Sequence, residues 1–191
     1  MSHSRIRSVI SAALVSFVGA CGDDSSCGIG GAPVDGITAS NVDVQFVFTA
    51  FTAGPNHDCP VPDAPAGVES LTIQSMQENG TGLFTACVPR PDLFTAEQAI
   101  GTTMTAAFSL VDLSGIATNG CKYTIDRSIP PTGMANADGI CNAGTNKAGF
   151  ALNLDGAVSI KQITPQPATC TAPSSTTFAV TLKGRTAVTA Q

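Results

Sequence analysis

Apolar and polar residues alternate strictly in six separate runs of this chain, and that alternation most limits the folds open to it. Side chains of an extended backbone point to opposite faces in turn, so a period of two gives one face to a core and one to water. Val42, Val44, Phe46 and Phe48 oppose Asp43, Gln45 and Thr49, and Leu71 and Ile73 oppose Thr72 and Gln74. The same pattern runs through Met104–Leu110, Cys121–Asp126, Phe150–Asp155 and Phe178–Lys183. β-Branched and aromatic residues recur on the apolar side and threonine on the polar side, as a pleated, half-buried surface requires. Helical spacing is nowhere sustained. One short helix is expected over Ala96–Ile100, where Thr95 and Gln98 have capping-box spacing.

Turn chemistry falls between these runs. Asn79-Gly80, Asn119-Gly120 and Asp155-Gly156 tolerate positive φ and predict tight connections, the last of them dividing Phe150–Leu154 from Val158–Ile163. Prolines gather in loops, at Pro55–Pro65 and at Pro130-Pro131. Roughly eight or nine short strands punctuated in this way predict an all-β fold, a two-sheet antiparallel β-sandwich of immunoglobulin-like or jelly-roll-like type over residues 37–191. A closed barrel is the other architecture this pattern allows. The chain has no Trp and one Tyr, so its core must come from Phe, Val, Leu, Ile and Ala.

The first twenty residues follow a different rule. Arg5 and Arg7 precede the apolar run Val9–Val18, which is too short for a bilayer span of about 20 residues. The run ends in Val18-Gly19-Ala20-Cys21, small residues followed by cysteine. This resembles the lipobox of bacterial lipoproteins, with Gly19 and Ala20 in the reverse of the commonest order. The resemblance implies a signal peptide over 1–20, a diacylglycerol on the Cys21 thiol, and cleavage that leaves Cys21 at the N-terminus. Gly22 stands where enteric inner-membrane lipoproteins carry Asp, which implies an outer-membrane destination, facing the periplasm or the surface. Residues 21–36, rich in Gly, Ser and Asp, read as a flexible tether.

Removal of residues 1–20 leaves 171 residues, a length suited to one domain, with 7 basic against 14 acidic residues and a net charge of −7. Such a chain repels phosphate backbones, so nucleic acid is not an expected partner. Beyond Cys21 six cysteines remain: Cys27, Cys59, Cys87, Cys121, Cys141 and Cys170. An even set in an exported chain predicts three disulfides. Metal binding would want close pairs, and the tightest spacing here is Cys121 to Cys141. The expected pairs are Cys121–Cys141 around the Pro-Pro loop, Cys59–Cys87, and Cys27–Cys170.

Residues able to carry chemistry are sparse. After export His57 is the only histidine; it sits beside Asp58 between Gly54-Pro55 and Cys59-Pro60, as a surface-loop residue would. The sequence contains no G-x-S-x-G elbow, H-E-x-x-H helix, phosphate loop or C-x-x-C pair. Most of the acidic residues fall in turns or on polar strand faces. Asn136–Asn142 opens like a calcium loop, but Met134 and Thr145 occupy the positions that need carboxylates. A tight turn closed by a Cys141 bond is expected there instead, with no metal and no cofactor. Tyr123 lies on core-facing parity, which leaves no evident aromatic platform for a sugar. The expected role is a non-enzymatic binding or structural module of the cell envelope, with an envelope protein or glycan as partner. The alternative is a small secreted hydrolase using carboxylates or His57.

Overall fold

A computed structural model describes residues 36–55, 70–89, 94, 96–103, 106–142, 148–171 and 177–190. The described residues are all-β and contain no helix. Their ten strands are β1 Gly36–Ser40, β2 Gln45–Pro55, β3 Leu71–Gln77, β4 Leu83–Val88, β5 Gln98–Gly101, β6 Phe108–Ile116, β7 Lys122–Ile125, β8 Thr132–Asn142, β9 Ala148–Gln162 and β10 Phe178–Ala190.

All ten belong to one hydrogen-bonded sheet, ordered β1-β10-β2-β3-β4-β6-β5-β8-β9-β7, with further pairings β1–β2, β10–β9 and β6–β7. These extra pairings close the ladder on itself. One circuit runs β2-β3-β4-β6-β7-β9-β10 and returns to β2 through the parallel pairs Val188↔Phe51 to Ala190↔Ala53. A second runs β6-β5-β8-β9-β7 and returns to β6. Strand β1 is inserted beside both β10 and β2.

The core lies inside this closed ladder and is built by the alternation itself. Phe46, Phe48, Phe84, Phe108, Leu110 and Leu152 are completely buried. Aromatic rings meet across the interior as well as between neighbours. Phe46 of β2 lies 6.4 Å from Tyr123 of β7, although the two strands are not paired. Phe94 stacks on Phe108 of β6 at 5.4 Å and meets Phe150 of β9 edge-on at 6.4 Å. Contacts of this kind add about 0.5–1.5 kcal/mol each beyond the burial of their area.

Two of the expected turns form. Gly80 (φ +76°) sits in the β3–β4 turn, closed by Gln77 N–H donating to the Gly82 carbonyl at 2.9 Å. Gly120 (φ +75°) completes the turn that leads into β7. The third does not. β9 runs straight through Asp155-Gly156, and those residues pair with Lys183 and Leu182 of β10 on one side and Met134 and Gly133 of β8 on the other. The glycine is needed for close approach: a Cβ on Gly156 would lie 2.2 Å from the Thr132 carbonyl oxygen, and one on Gly133 (φ +99°) would lie 2.2 Å from that of Asp155.

Three further expectations are corrected. The expected helix over Ala96–Ile100 is instead the approach to β5 and its first three residues, a short run that bridges β6 and β8; that ladder outweighs the capping-box spacing. Asn136–Asn142 is no tight turn but the second half of β8, paired with β9 and interrupted by a bulge between Asp138 and Cys141. Val42 does not continue the buried face of β2. It stands at the β1–β2 turn, 98% exposed, where the Asn41 side chain accepts the N–H groups of Asp43 (2.8 Å) and Val44 (2.9 Å).

Candidate functional site

Cysteine geometry is the first test of the site residues. Cys121 bonds Cys170, with Cα atoms 4.2 Å apart. This replaces both the Cys121–Cys141 and the Cys27–Cys170 pairs expected from spacing. The reason lies in β9. Cys141 pairs with Gly149 near its start, whereas Tyr123, beside Cys121, pairs with Gln162 at its end. Thirteen residues of strand separate those points, roughly 40 Å at the usual rise. Cys170 reaches Cys121 because the loop after β9 folds back over the turn before β7, where Thr171 N–H donates to the Asn119 carbonyl at 3.2 Å. Cys87 is also disulfide-bonded. Cys21, Cys27, His57 with Asp58, Cys59, the signal segment and most of the tether lie outside the described residues.

Two glutamines act as substitute peptide groups, a role the sequence did not announce. Gln77 is on core-facing parity at the end of β3 and only 4% exposed. Its Nε2 donates to the Ile116 carbonyl at 3.3 Å and its Oε1 accepts the Ile116 N–H at 3.1 Å, as a neighbouring strand would. Gly115 leaves room for it, since a Cβ there would lie 2.9 Å from Oε1 and 2.7 Å from the Phe46 ring. Gln166 does the same for β7: Nε2 donates to the Lys122 and Ile163 carbonyls, and Oε1 accepts the Lys122 N–H, each at 2.8 Å.

Asp126 is the buried carboxylate of the described residues. Thr177 Oγ1 donates to one of its oxygens at 2.7 Å. Ser128 Oγ (2.7 Å), Ser128 N–H (3.1 Å) and Lys161 Nζ (3.3 Å) donate to the other. These donors, the Thr177 hydroxyl foremost, hold its pKa well below the ordinary 3.8. The result is an acceptor that joins the turn after β7 to β9 and to the approach to β10. Asp112 on β6 shifts the other way: burial raises its pKa, opposed by the charges of Arg127 and Lys122.

Where these elements end, Gln45, Val47, Gln77, Glu78 and Asn79 line a shallow open cleft of about 290 Å³. It offers amides and one carboxylate, so it can hydrogen-bond a polar ligand but brings together no nucleophile and base. Among the described residues no three His, Cys, Asp or Glu side chains are placed to hold a metal ion. No helix among them is long and apolar enough to cross a membrane. No family model, curated protein or solved structure matches the chain.

Proposed function

We propose that the chain is an exported bacterial lipoprotein, anchored through a lipid on Cys21, whose β body serves the cell envelope as a non-enzymatic binding or structural module. The observation that carries this is Val18-Gly19-Ala20-Cys21 behind a charged n-region and a short apolar run. The Cys121–Cys170 bond and the cross-linked Cys87 support it, because disulfides persist outside the reducing cytoplasm. The outer membrane is the destination we propose. An envelope protein or glycan is the partner, supported by outward faces rich in Thr, Ser and Asn and by the amide-lined cleft at Gln45 and Asn79. We read the closed ladder as a sandwich whose two layers are joined through shared strands, on the support of the Phe46–Tyr123 contact across its interior.

The remaining pairing follows from register. Pro55 ends β2 opposite Leu71, which lies opposite Val88, and only three residues lie between Pro55 and Cys59. Cys59–Cys87 is therefore the second disulfide we propose, leaving Cys27 and Cys141 for the third. The anchor is tested by mass spectrometry of the protein purified from bacterial membranes. The expected N-terminal peptide starts at Cys21 and carries diacylglycerol, and Cys21→Ala abolishes both processing and membrane retention. An unmodified Cys21 in the wild-type protein would overturn the reading.

A further inference from the structure

Strand β2 outruns its neighbour at one end. β3 reaches only to Gln77, opposite Phe48, and beyond it the Glu78 N–H donates to the Val47 carbonyl at 2.8 Å. Peptide groups alternate in direction along a strand, so those of Gln45 point the same way as those of Val47. They pass the end of β3 and have no strand partner on that side. The step between the longer strand and the β3–β4 turn is the cleft of about 290 Å³ lined by Gln45, Val47, Gln77, Glu78 and Asn79.

Hydrogen bonds already made decide which of these groups are open to a ligand. Gln77 is engaged with Ile116 at both amide atoms. Asn79 Oδ1 accepts the Thr81 hydroxyl at 2.8 Å, which leaves Asn79 Nδ2 to donate elsewhere. The exposed Gln45 amide and Glu78 carboxylate hold no hydrogen bond or ion pair among the described residues. Val47, half-buried, adds an apolar wall, and no lining residue is basic.

We propose that this cleft binds one neutral sugar unit of an envelope glycan through adjacent hydroxyls. The inference deepens the glycan reading above and rests on it. A hydroxyl both donates and accepts, and the open groups supply both needs: Glu78 accepts from two neighbouring hydroxyls, while Asn79 Nδ2 and the Gln45 amide donate to their oxygens. The C–H face of the ring lies against Val47. An unpaired carboxylate in the lining repels uronate and phosphate, so the sugar is uncharged. The volume lies at the lower end of the range for small-molecule sites, which suits one ring. It has no deep apolar pocket of the kind that anchors a protein partner's side chain. With no aromatic platform, hydrogen bonds carry the affinity, and a dissociation constant of about 1 mM follows.

The test dialyses the lipidated protein, held in phosphatidylcholine vesicles, to equilibrium against chitotriose, maltotriose, mannotriose or trigalacturonate. At least one of the three neutral sugars is expected to bind with a dissociation constant of about 1 mM, and trigalacturonate at least about ten-fold more weakly. Glu78→Gln should weaken the neutral sugar about ten-fold and narrow the gap to trigalacturonate, and Gln45→Ala should weaken it about five-fold. Both side chains are exposed, so neither change disturbs the core. Asp155→Asn removes the same charge on β9, outside the cleft, and should leave binding unchanged; a loss equal to that of Glu78→Gln would show an effect of net charge and overturn the site. No saturable binding of any neutral sugar, or binding that both cleft variants leave intact, would overturn the proposal, and with lipid present on the Cys21 peptide the lipoprotein reading would stand. Sugar binding by a chain whose Cys21 carries no lipid would uphold the cleft and remove the envelope reading.

Discussion

Replacing Gln77 by glutamate changes one nitrogen to oxygen and little else in volume, so it isolates what the side-chain amide contributes. The wild-type amide donates to the Ile116 carbonyl and accepts the Ile116 N–H, in a setting where Gln77 is 4% exposed. In Gln77→Glu the acceptor bond survives, but the second oxygen faces the Ile116 carbonyl, acceptor against acceptor. One hydrogen bond is lost and one carbonyl loses its donor, for a cost of about 2–3 kcal/mol at neutral pH. That cost applies to the charged form, so it raises the pKa of the introduced carboxyl above its ordinary value of about 4.3, by about two units at about 1.4 kcal/mol per unit. The sign follows: a group whose pKa is raised on folding gives full relative stability below the unfolded value and loses it as pH rises through the folded one. Below about pH 4 the protonated carboxyl donates to the Ile116 carbonyl and the variant approaches wild type; between about pH 4 and 6.5 the deficit opens. Urea unfolding of both proteins across this range measures it, the difference at each pH cancelling acid effects that the two share. A deficit that is constant with pH, or below about 0.5 kcal/mol throughout, would refute the peptide-substitute role.

Three other outcomes are expected. Cys121→Ala with Cys170→Ala opens a loop of 49 residues and should lower unfolding free energy by about 4 kcal/mol in the chain-entropy account; either single variant should cost nearly as much, since the bond is lost in each. Wild-type thermal midpoints should fall as pH drops below the ordinary Asp126 value of 3.8, because a pKa lowered on folding gives stability that is present above the unfolded value and lost in acid. Asp126→Asn should flatten that acid limb in calorimetry. Gly156→Ala places a methyl 2.2 Å from the Thr132 carbonyl and should destabilise by about 3 kcal/mol or more, as overpacking against backbone does; circular dichroism melts would show it, and an unchanged midpoint would mean that β8 and β9 separate at no cost.

Local pattern revealed the strands whose cores are large and apolar. Phe46 and Phe48 in β2, Leu110 in β6, Leu152 and Leu154 in β9, and Val180 and Leu182 in β10 are buried where alternation puts them. It missed β8, whose identified inward residues are Ala135 and Ala137, small enough that the run reads as a polar turn. β1 and β5 are short and owe their form to neighbours supplied by distant segments. Gly156 illustrates the same limit: its reason lies in the Thr132 carbonyl, on another strand, and not in the Asp before it. Disulfide spacing misled because the length of β9 carries Cys141 away from Cys121. Gln77 and Gln166 gave a fainter signal. Gln77 occupied a core-facing position just before a turn, which is where a polar group must be bonding something.

The placement of β1 has a mechanical consequence. Its five residues are laced to β10 along one side, from Gly36↔Arg185 to Ser40↔Thr181, and to β2 along the other, from Ile37↔Phe48 to Ser40↔Gln45. Traction applied at Gly36 along the strand axis strains both seams at once instead of peeling bonds singly. A tug on the N-terminal side is thereby resisted as shear, spread over strands that close the ladder, and the body is gripped at its seam and not at a loose end.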